Sequence, residues 1–272
     1  MAKLSHEDVR HFREQGYAVA RGVFGKEEAG DLRGWYDQIA DLAKRDLPDA
    51  YRNAPGPEVH IHVQAPDDVS GGEAVRYLRK VQWPAMFHSG FERVRNDVRW
   101  PALLEPLLGT SLKQFINQIN YKMPGGDIEF PWHQDVRPTP AFENQVHNYV
   151  QTIIAVDDAT PENGCLHIVP GSHRKGDLKA QRYAEGQIES VVNVDEAVPI
   201  EAEAGDVILF TSYTVHGSSP NRSQHPRRSY INGFVRAESC TVGKWAFLDG
   251  KPVPITSNYD YADIRIDPSP AA

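Results

Sequence analysis

The feature that most constrains how this chain can fold is a succession of short apolar runs beginning near Leu112, each closed by turn residues. They read FINQINYKM, NYVQTIIAVDD, CLHIVPG, SVVNV, DVILFTSY and SYINGFVRA. No helix-length periodic pattern separates them, and many short strands in succession without long helices between them argue for an antiparallel sandwich or barrel. The expected fold is therefore mainly β, a double-stranded β-helix of the jelly-roll or cupin-like kind, with its core at about residues 111–240. With 272 residues, 40% of them hydrophobic, the chain can bury one sizeable core, and a single domain over 1–272 is expected.

The first part of the chain reads differently. Ser5 with Asp8 forms an N-cap pair, Val9 and Phe12 follow at helical spacing and Gly16 is a stop, which predicts a helix over residues 5 to 15. Tyr17 to Val23 reads as a strand. From Lys26 to about Arg45 the apolar residues Leu32, Trp35, Ile39 and Leu42 recur at three and four, the signature of an amphipathic helix. These elements are expected to flank the β core as helical support over about 1–110. The tail after Lys251, with four prolines, reads as irregular.

Between about Leu47 and Gly72 the chain is rich in Pro, Gly, Asp and Asn, as an exposed loop is. This segment, and the one after Asp135 running through Phe142 to Asn148, are expected to close over a substrate. His60 and His62 alternate in VHIHV, but no third ligand stands at a recognisable spacing, so the pair reads as structural or substrate-facing.

Charge and cysteine content exclude several classes. There are 29 Lys and Arg against 37 Asp and Glu, a net −8 without a dense basic run, so no nucleic-acid partner is expected. No stretch approaches the roughly 20 apolar residues that span a bilayer. A cytoplasmic protein without a membrane partner, monomer or homodimer, acting on a small molecule, is the expectation. Cys165 and Cys240 alone cannot build a disulfide framework or a thiolate zinc site.

The chemistry concentrates in two places. In PWHQDVRP, His133 and Asp135 lie two apart, so in an extended chain both project to one side while Gln134 points away. His216, in TVHGSSPN, follows the apolar run DVILFTSY and sits beside Gly217, whose missing side chain leaves room for a ligand. Two imidazoles and one carboxylate on one face are the facial triad of non-heme iron(II) oxygenases, with positions left open for a cosubstrate and dioxygen. Alone, an H-x-D pair is common by chance; its strand-rich context, the distal histidine and the arginines in HPRRSYINGF make the combination specific.

These features, in order, resemble the phytanoyl-CoA dioxygenase family of iron(II)- and 2-oxoglutarate-dependent oxygenases, whose bacterial members include ectoine and free-amino-acid hydroxylases. The resemblance covers nearly the whole chain: Phe12 to Tyr17 as F-x-x-x-G-Y, INYKMPGG before PWHQD, ENGCLHIVPGSH, and HGSSPN followed by HPR. It implies that His133, Asp135 and His216 bind iron(II) and that Arg227 pairs with the distal carboxylate of 2-oxoglutarate. It also implies that Lys122 and Ser218 contact that cosubstrate. His167 and His173 are expected to pack or hydrogen-bond rather than ligate. Trp132, Gln134 and Arg137 flank the metal motif and are candidate substrate contacts. Fe(II), 2-oxoglutarate and O2 are the implied cofactors, and hydroxylation of an unactivated C–H bond, with release of succinate and CO2, is the default reaction.

Desaturation, cyclisation or epoxidation would use the same site. Three rivals are a silent jelly-roll binding module, a non-oxidative metal enzyme on zinc or manganese, and a halogenase. The last would need a small residue where Asp135 stands.

Overall fold

In the computed structural model the described residues are 3–43, 59–63, 78–125, 127–136, 148–178, 187–257, 261 and 264–266. The first helix, α1 (His6–Gln15), starts where the Ser5 hydroxyl accepts from the Asp8 backbone N–H at 3.1 Å and the Asp8 carboxylate accepts from the Ser5 N–H at 2.8 Å. Two otherwise orphaned amides are thereby satisfied. It ends at Gly16, with φ of 86°; a Cβ there would also lie 2.6 Å from the His173 ring, so both backbone and space require glycine.

Strand β1 (Tyr17–Ala20) stops short of Val23 because the chain turns at Gly22, whose amide donates to Asp206. There follow α2 (Lys26–Ala43), β2 (His60–Val63), β3 (Leu78–Gln82), α3 (Ser89–Arg95) and α4 (Arg99–Leu108). The β-rich part then runs β4 (Leu112–Lys122), β5 (Phe130–His133), β6 (Tyr149–Ala155), β7 (Leu166–Ile168), β8 (Val198–Ile200), β9 (Val207–Thr211), β10 (His216–Ser218), β11 (Arg227–Arg236), β12 (Lys244–Leu248) and β13 (Lys251–Pro252).

These strands form two sheets. The major sheet is ordered β1-β9-β6-β11-β4-β12-β13, with β3 also paired to β4 and β2 to β3; the minor sheet is β5-β10-β7-β8. Period-two alternation sorts the major sheet into two faces. Val150, Ile154, Val207, Leu209, Tyr230 and Phe234 pack outward against the helices, meeting Leu32, Tyr36, Phe91 and Trp100. Their neighbours Ile153, Ala155, Ile208, Phe210, Ile231 and Val235 face inward, meeting Cys165, Ile168 and Ile200 from the minor-sheet side. The result is a mainly β, cupin-like sandwich flanked by N-terminal helices. Burying each large side chain contributes about 1.5–3 kcal/mol, so the inner face is held in register by every strand that crosses it.

Two expectations are corrected. SVVNV is not a strand: Ile188–Ser190 and Val194–Glu196 are 3-10 turns. Ile188 and Val192, four apart, bury into a small cluster with Val169, Leu178 and Val215, which is a helical and not an alternating spacing. The sheet also passes the expected limits of the core, because β12 pairs with β4 beyond residue 240 while β1, β2 and β3 join from the N-terminal part. Most of both segments expected to close over the substrate lies outside the described residues; within them, His60–Val63 is an edge strand. Among the described residues no helix is long and apolar enough to cross a membrane.

Candidate active site

Antiparallel pairing of β5 with β10 sets His133 directly opposite His216, and their rings stand 4.2 Å apart between centroids. Asp135, just past β5, completes a triangle: His133 Nε2 to Asp135 Oδ1 is 3.8 Å, and His216 Nε2 to Asp135 Oδ2 is 3.8 Å. One ligand atom from each lies within 4.8 Å of the others, and no other such group of three occurs among the described residues.

The hydrogen bonds around the triad decide what it can hold. His133 Nδ1 lies 2.7 Å from the Pro131 carbonyl and His216 Nδ1 lies 2.9 Å from the Thr214 carbonyl. A carbonyl only accepts, so each Nδ1 carries the proton and each Nε2 turns a lone pair to the centre. Burial, reinforced by the neighbouring His133, pushes His216 down to about 4, keeping it neutral. Asp135 Oδ2 is buried with no hydrogen-bond partner. Three acceptors converge where nothing donates, which is the environment a divalent cation relieves, and two nitrogens with one carboxylate oxygen suit iron(II).

The triad opens into a cavity of about 320 Å³ between the sheets. Arg227 lines it. Its guanidinium makes no hydrogen bond among the described residues, and its Nε is buried without a partner; burial pushes the group down to about 10. Its neighbour Arg228 is committed elsewhere: Nε and Nη2 grip Asp157 at 2.8 and 2.9 Å, and Nη1 reaches Asp37 at 3.1 Å. Alternation explains the split, since Arg227 shares the inward side with Ser229 and Ile231, while Arg228 shares the helix side with Tyr230 and Phe234.

The profile of the phytanoyl-CoA dioxygenase (PhyH) family matches residues 12–229. The chain belongs to this family. It is an iron(II)- and 2-oxoglutarate-dependent dioxygenase. Its relatives include a methylphosphonate hydroxylase of Gimesia maris, 29% identical over 86% of this chain and 82% of that protein, and an ectoine dioxygenase of Halomonas elongata, 27% identical over 92% and 75%. Among solved structures, EctD from S. alaskensis with 2-oxoglutarate and 5-hydroxyectoine shares the fold, with a TM-score of 0.62 at 20% identity over 93% of this chain and 89% of that one.

Within this PhyH-family cavity the remaining predicted residues divide. Ser218 lines it. Lys122 does not reach it directly: its buried ammonium donates to Ser218 Oγ at 2.8 Å, to the Ser218 carbonyl at 3.1 Å and to the carbonyls of Ser219 and Gly164. Burial and the nearby Arg227 push that ammonium down to about 6. The Lys122 ammonium, expected to face a cosubstrate, is thus turned to Ser218 and the neighbouring turn carbonyls. Gln134, expected near the substrate, is wholly occupied: its amide donates to the Gly176 and Tyr213 carbonyls and its oxygen accepts from Leu178 N. Trp132 packs instead against the cluster around Val169 and Val215. Both follow from alternation, which turns positions 132 and 134 away from the side of His133. Arg137 lies outside the described residues.

Gly217 also needs correction. A Cβ there would stand 3.1 Å from the Phe130 carbonyl and 3.2 Å from the Trp132 ring, so the absent side chain makes room for β5 rather than for a ligand. His167 and His173 lie away from the triad, contacting the carbonyls of Cys165 and Arg13. Sequence reasoning missed Arg79, Lys80, Gln118 and Asn120, which line the cavity from β3 and β4.

Proposed function

We propose that His133, Asp135 and His216 hold iron(II), that Arg227 binds the distal carboxylate of 2-oxoglutarate, and that the enzyme hydroxylates an unactivated C–H bond of a small polar metabolite, releasing succinate and CO2. The observation that carries this reading is the convergence of three acceptors around an unpartnered Asp135 oxygen, at one end of a cavity that Arg227 also lines with its buried Nε unpartnered. With iron(II), 2-oxoglutarate and dioxygen bound, the centre supplies an oxidant able to take hydrogen from an unactivated carbon.

The chain's own residues do the rest. Thr214 and Pro131 carbonyls fix both imidazoles with Nε2 facing the metal position. Arg227 offers a planar, two-pronged donor to a carboxylate. Lys122, by donating to Ser218 Oγ, leaves that hydroxyl's own hydrogen free to donate into the cavity, which makes Ser218 a second cosubstrate contact. Ile153, Ile208 and Phe210 keep water from the carbon that reacts.

The volume supports a small substrate, and the named substrates of the relatives, methylphosphonate and ectoine, support a compact polar one over a coenzyme A thioester. Asp135 fills the position that a halogenase would leave open. Screening small metabolites for substrate-dependent succinate formation tests the reading. His133→Ala, Asp135→Ala and His216→Ala should each abolish it while leaving the fold intact; full turnover in any of them would remove that residue from the centre.

A further inference from the structure

Register lays out the inward face of the major sheet in rows. In one of them Phe210 on β9 stands opposite Gln151 on β6, Gln151 opposite Gly233 on β11, and Gly233 opposite Ile116 on β4. Directly opposed residues of antiparallel strands share a face. This row lies at the triad's end of the cavity, because the Phe210 ring packs on His216 with 4.6 Å between centroids. Arg227 is six residues back along β11, which at about 3.4 Å per residue is roughly 20 Å away. Phe210, Gln151 and Ile116 all line the cavity, and Gln151 is the polar one.

Gln151 is only 5% exposed, and one end of its amide is already fixed. The Tyr149 hydroxyl donates to Gln151 Oε1, which sets the way round that the amide lies and leaves Nε2 to the cavity. That nitrogen makes no hydrogen bond among the described residues. A donor taken out of water without a partner is unfavourable, so one held in this state suits an acceptor that arrives later.

Gly233 is fitted to the pair. It lies in mid-strand with no left-handed backbone, so conformation does not call for glycine there. Space does: a Cβ would overlap the Tyr149 hydroxyl and stand 2.8 Å from Gln151 Oε1. The strand gives up a side chain where the bond between Tyr149 and Gln151 crosses it.

We propose that Gln151 is a substrate-binding residue whose Nε2 donates to an acceptor oxygen of the substrate, with the carbon beside that oxygen lying among Ile116, Ile153 and Phe210. Tyr149 is a positioning residue that holds the amide for this bond. A neutral carbonyl and an oxyanion share the required chemistry. The proposal rests on the reading of the triad and Arg227 as the iron and 2-oxoglutarate sites.

NMR on isotope-labelled protein loaded with diamagnetic Zn(II) and 2-oxoglutarate tests it without turnover. The Gln151 side-chain N–H pair is assigned by its loss in Gln151→Met. Cyclopentanone, with a neutral acceptor, methylphosphonate, with an anionic one, and cyclopentane, with none, are then titrated in separately. At least one acceptor probe should move that pair downfield while cyclopentane leaves it in place, and whichever probe moves it further tells a neutral head from an anionic one. Gln151→Met should weaken that probe about two- to tenfold, with cyclopentane and 2-oxoglutarate affinities as in the wild type. Tyr149→Phe frees the amide to turn, so it should move the same N–H pair before any probe is added and weaken the same probe. A pair unmoved by both acceptor probes, a pair unmoved by Tyr149→Phe, or acceptor affinity unchanged in Gln151→Met would overturn the inference alone. Failure of 2-oxoglutarate to bind the metal-loaded protein would instead sink the function proposed for the site.

Discussion

Asp135→Asn separates what the triad does for the metal from what it costs the chain. Without a metal, Asp135 Oδ2 is buried with no donor, and both carboxylate oxygens face imidazole lone pairs at 3.8 Å. An asparagine keeps the shape, removes the charge and offers an N–H to one of those lone pairs. Leaving a buried acceptor unpaired costs about 1–3 kcal/mol. The metal-free variant should therefore be more stable than the metal-free wild type by that amount. At roughly 2–4 °C per kcal/mol for a domain of this size, that is a rise in Tm of about 2–12 °C. Adding Fe(II) or Mn(II) at a hundredfold excess over Kd contributes about 2.7 kcal/mol, but only where the site is intact, so the wild type should gain and the variant should not. Thermal melts in EDTA and in excess metal give all four values. A metal-free variant melting below the wild type, or equal metal-induced rises in both, would refute the assignment of Asp135 as a strained anionic ligand.

Other perturbations probe other parts of the site. Arg227→Lys should weaken 2-oxoglutarate binding about ten- to a hundredfold although the charge is kept, whereas Arg228→Lys should leave that affinity alone and lower Tm, because it loses the forked grip on Asp157; equilibrium titration of both variants checks the pair, and the opposite pattern would reverse the register. His62 has a folded-state value of about 4, below that of the unfolded chain, so the unfolded state takes up the extra proton first. Its contribution to stability is complete above about pH 6.5 and is lost as pH falls toward 4. Lys80→Met should move the His62 midpoint upward in an NMR titration; an unmoved midpoint would mean that Lys80 does not face it. Gly217→Ala should weaken metal binding by straining β5 against β10, seen as a smaller metal-induced rise in Tm; an unchanged rise would show that the strands adjust.

The triad was legible because its parts depend on local rules. His133 and Asp135 share a side through strand alternation, and His216 follows a strand that is plain from DVILFTSY. The meeting of His133 with His216 was not legible from spacing, since it depends on which of several short strands become neighbours in the minor sheet. The family resemblance supplied that association in place of geometry. The inward placement of Arg227 was also readable, because the small residues on its side of β11 differ from the bulky ones beside Arg228. SVVNV misled because three valines in five residues imitate a strand, while its burial is governed by Ile188 and Val192 at helical spacing. The polar row of Lys80, Gln118 and Asn120 escaped notice for a related reason. β3 is five residues long, and only its register against β4 tells which of its side chains meet the cavity. Lys122 was read as a cosubstrate contact from the family resemblance of INYK alone, and no sequence rule tells that its long side chain turns to the acceptors around Ser218.

That turn of Lys122 bears on how the sandwich opens. Its backbone belongs to β4 in the major sheet, and its ammonium is fastened to β10 and to the turns at Ser219 and Gly164 beside the minor sheet. The two layers are thus stitched at Lys122 by a fan of bonds, like pages bound at a spine, while β3 reaches the minor-sheet side through the longer bond from Arg79 Nη2 to the Glu129 carbonyl, at 3.3 Å. Slow breathing of the native protein should fan the layers apart from the β2–β3 margin, where the solvent-exposed Arg79 bond is the weaker fastening. Native-state hydrogen exchange should then release the amides of β2 and β3 early, and those of Tyr121 and Ser218 late and together.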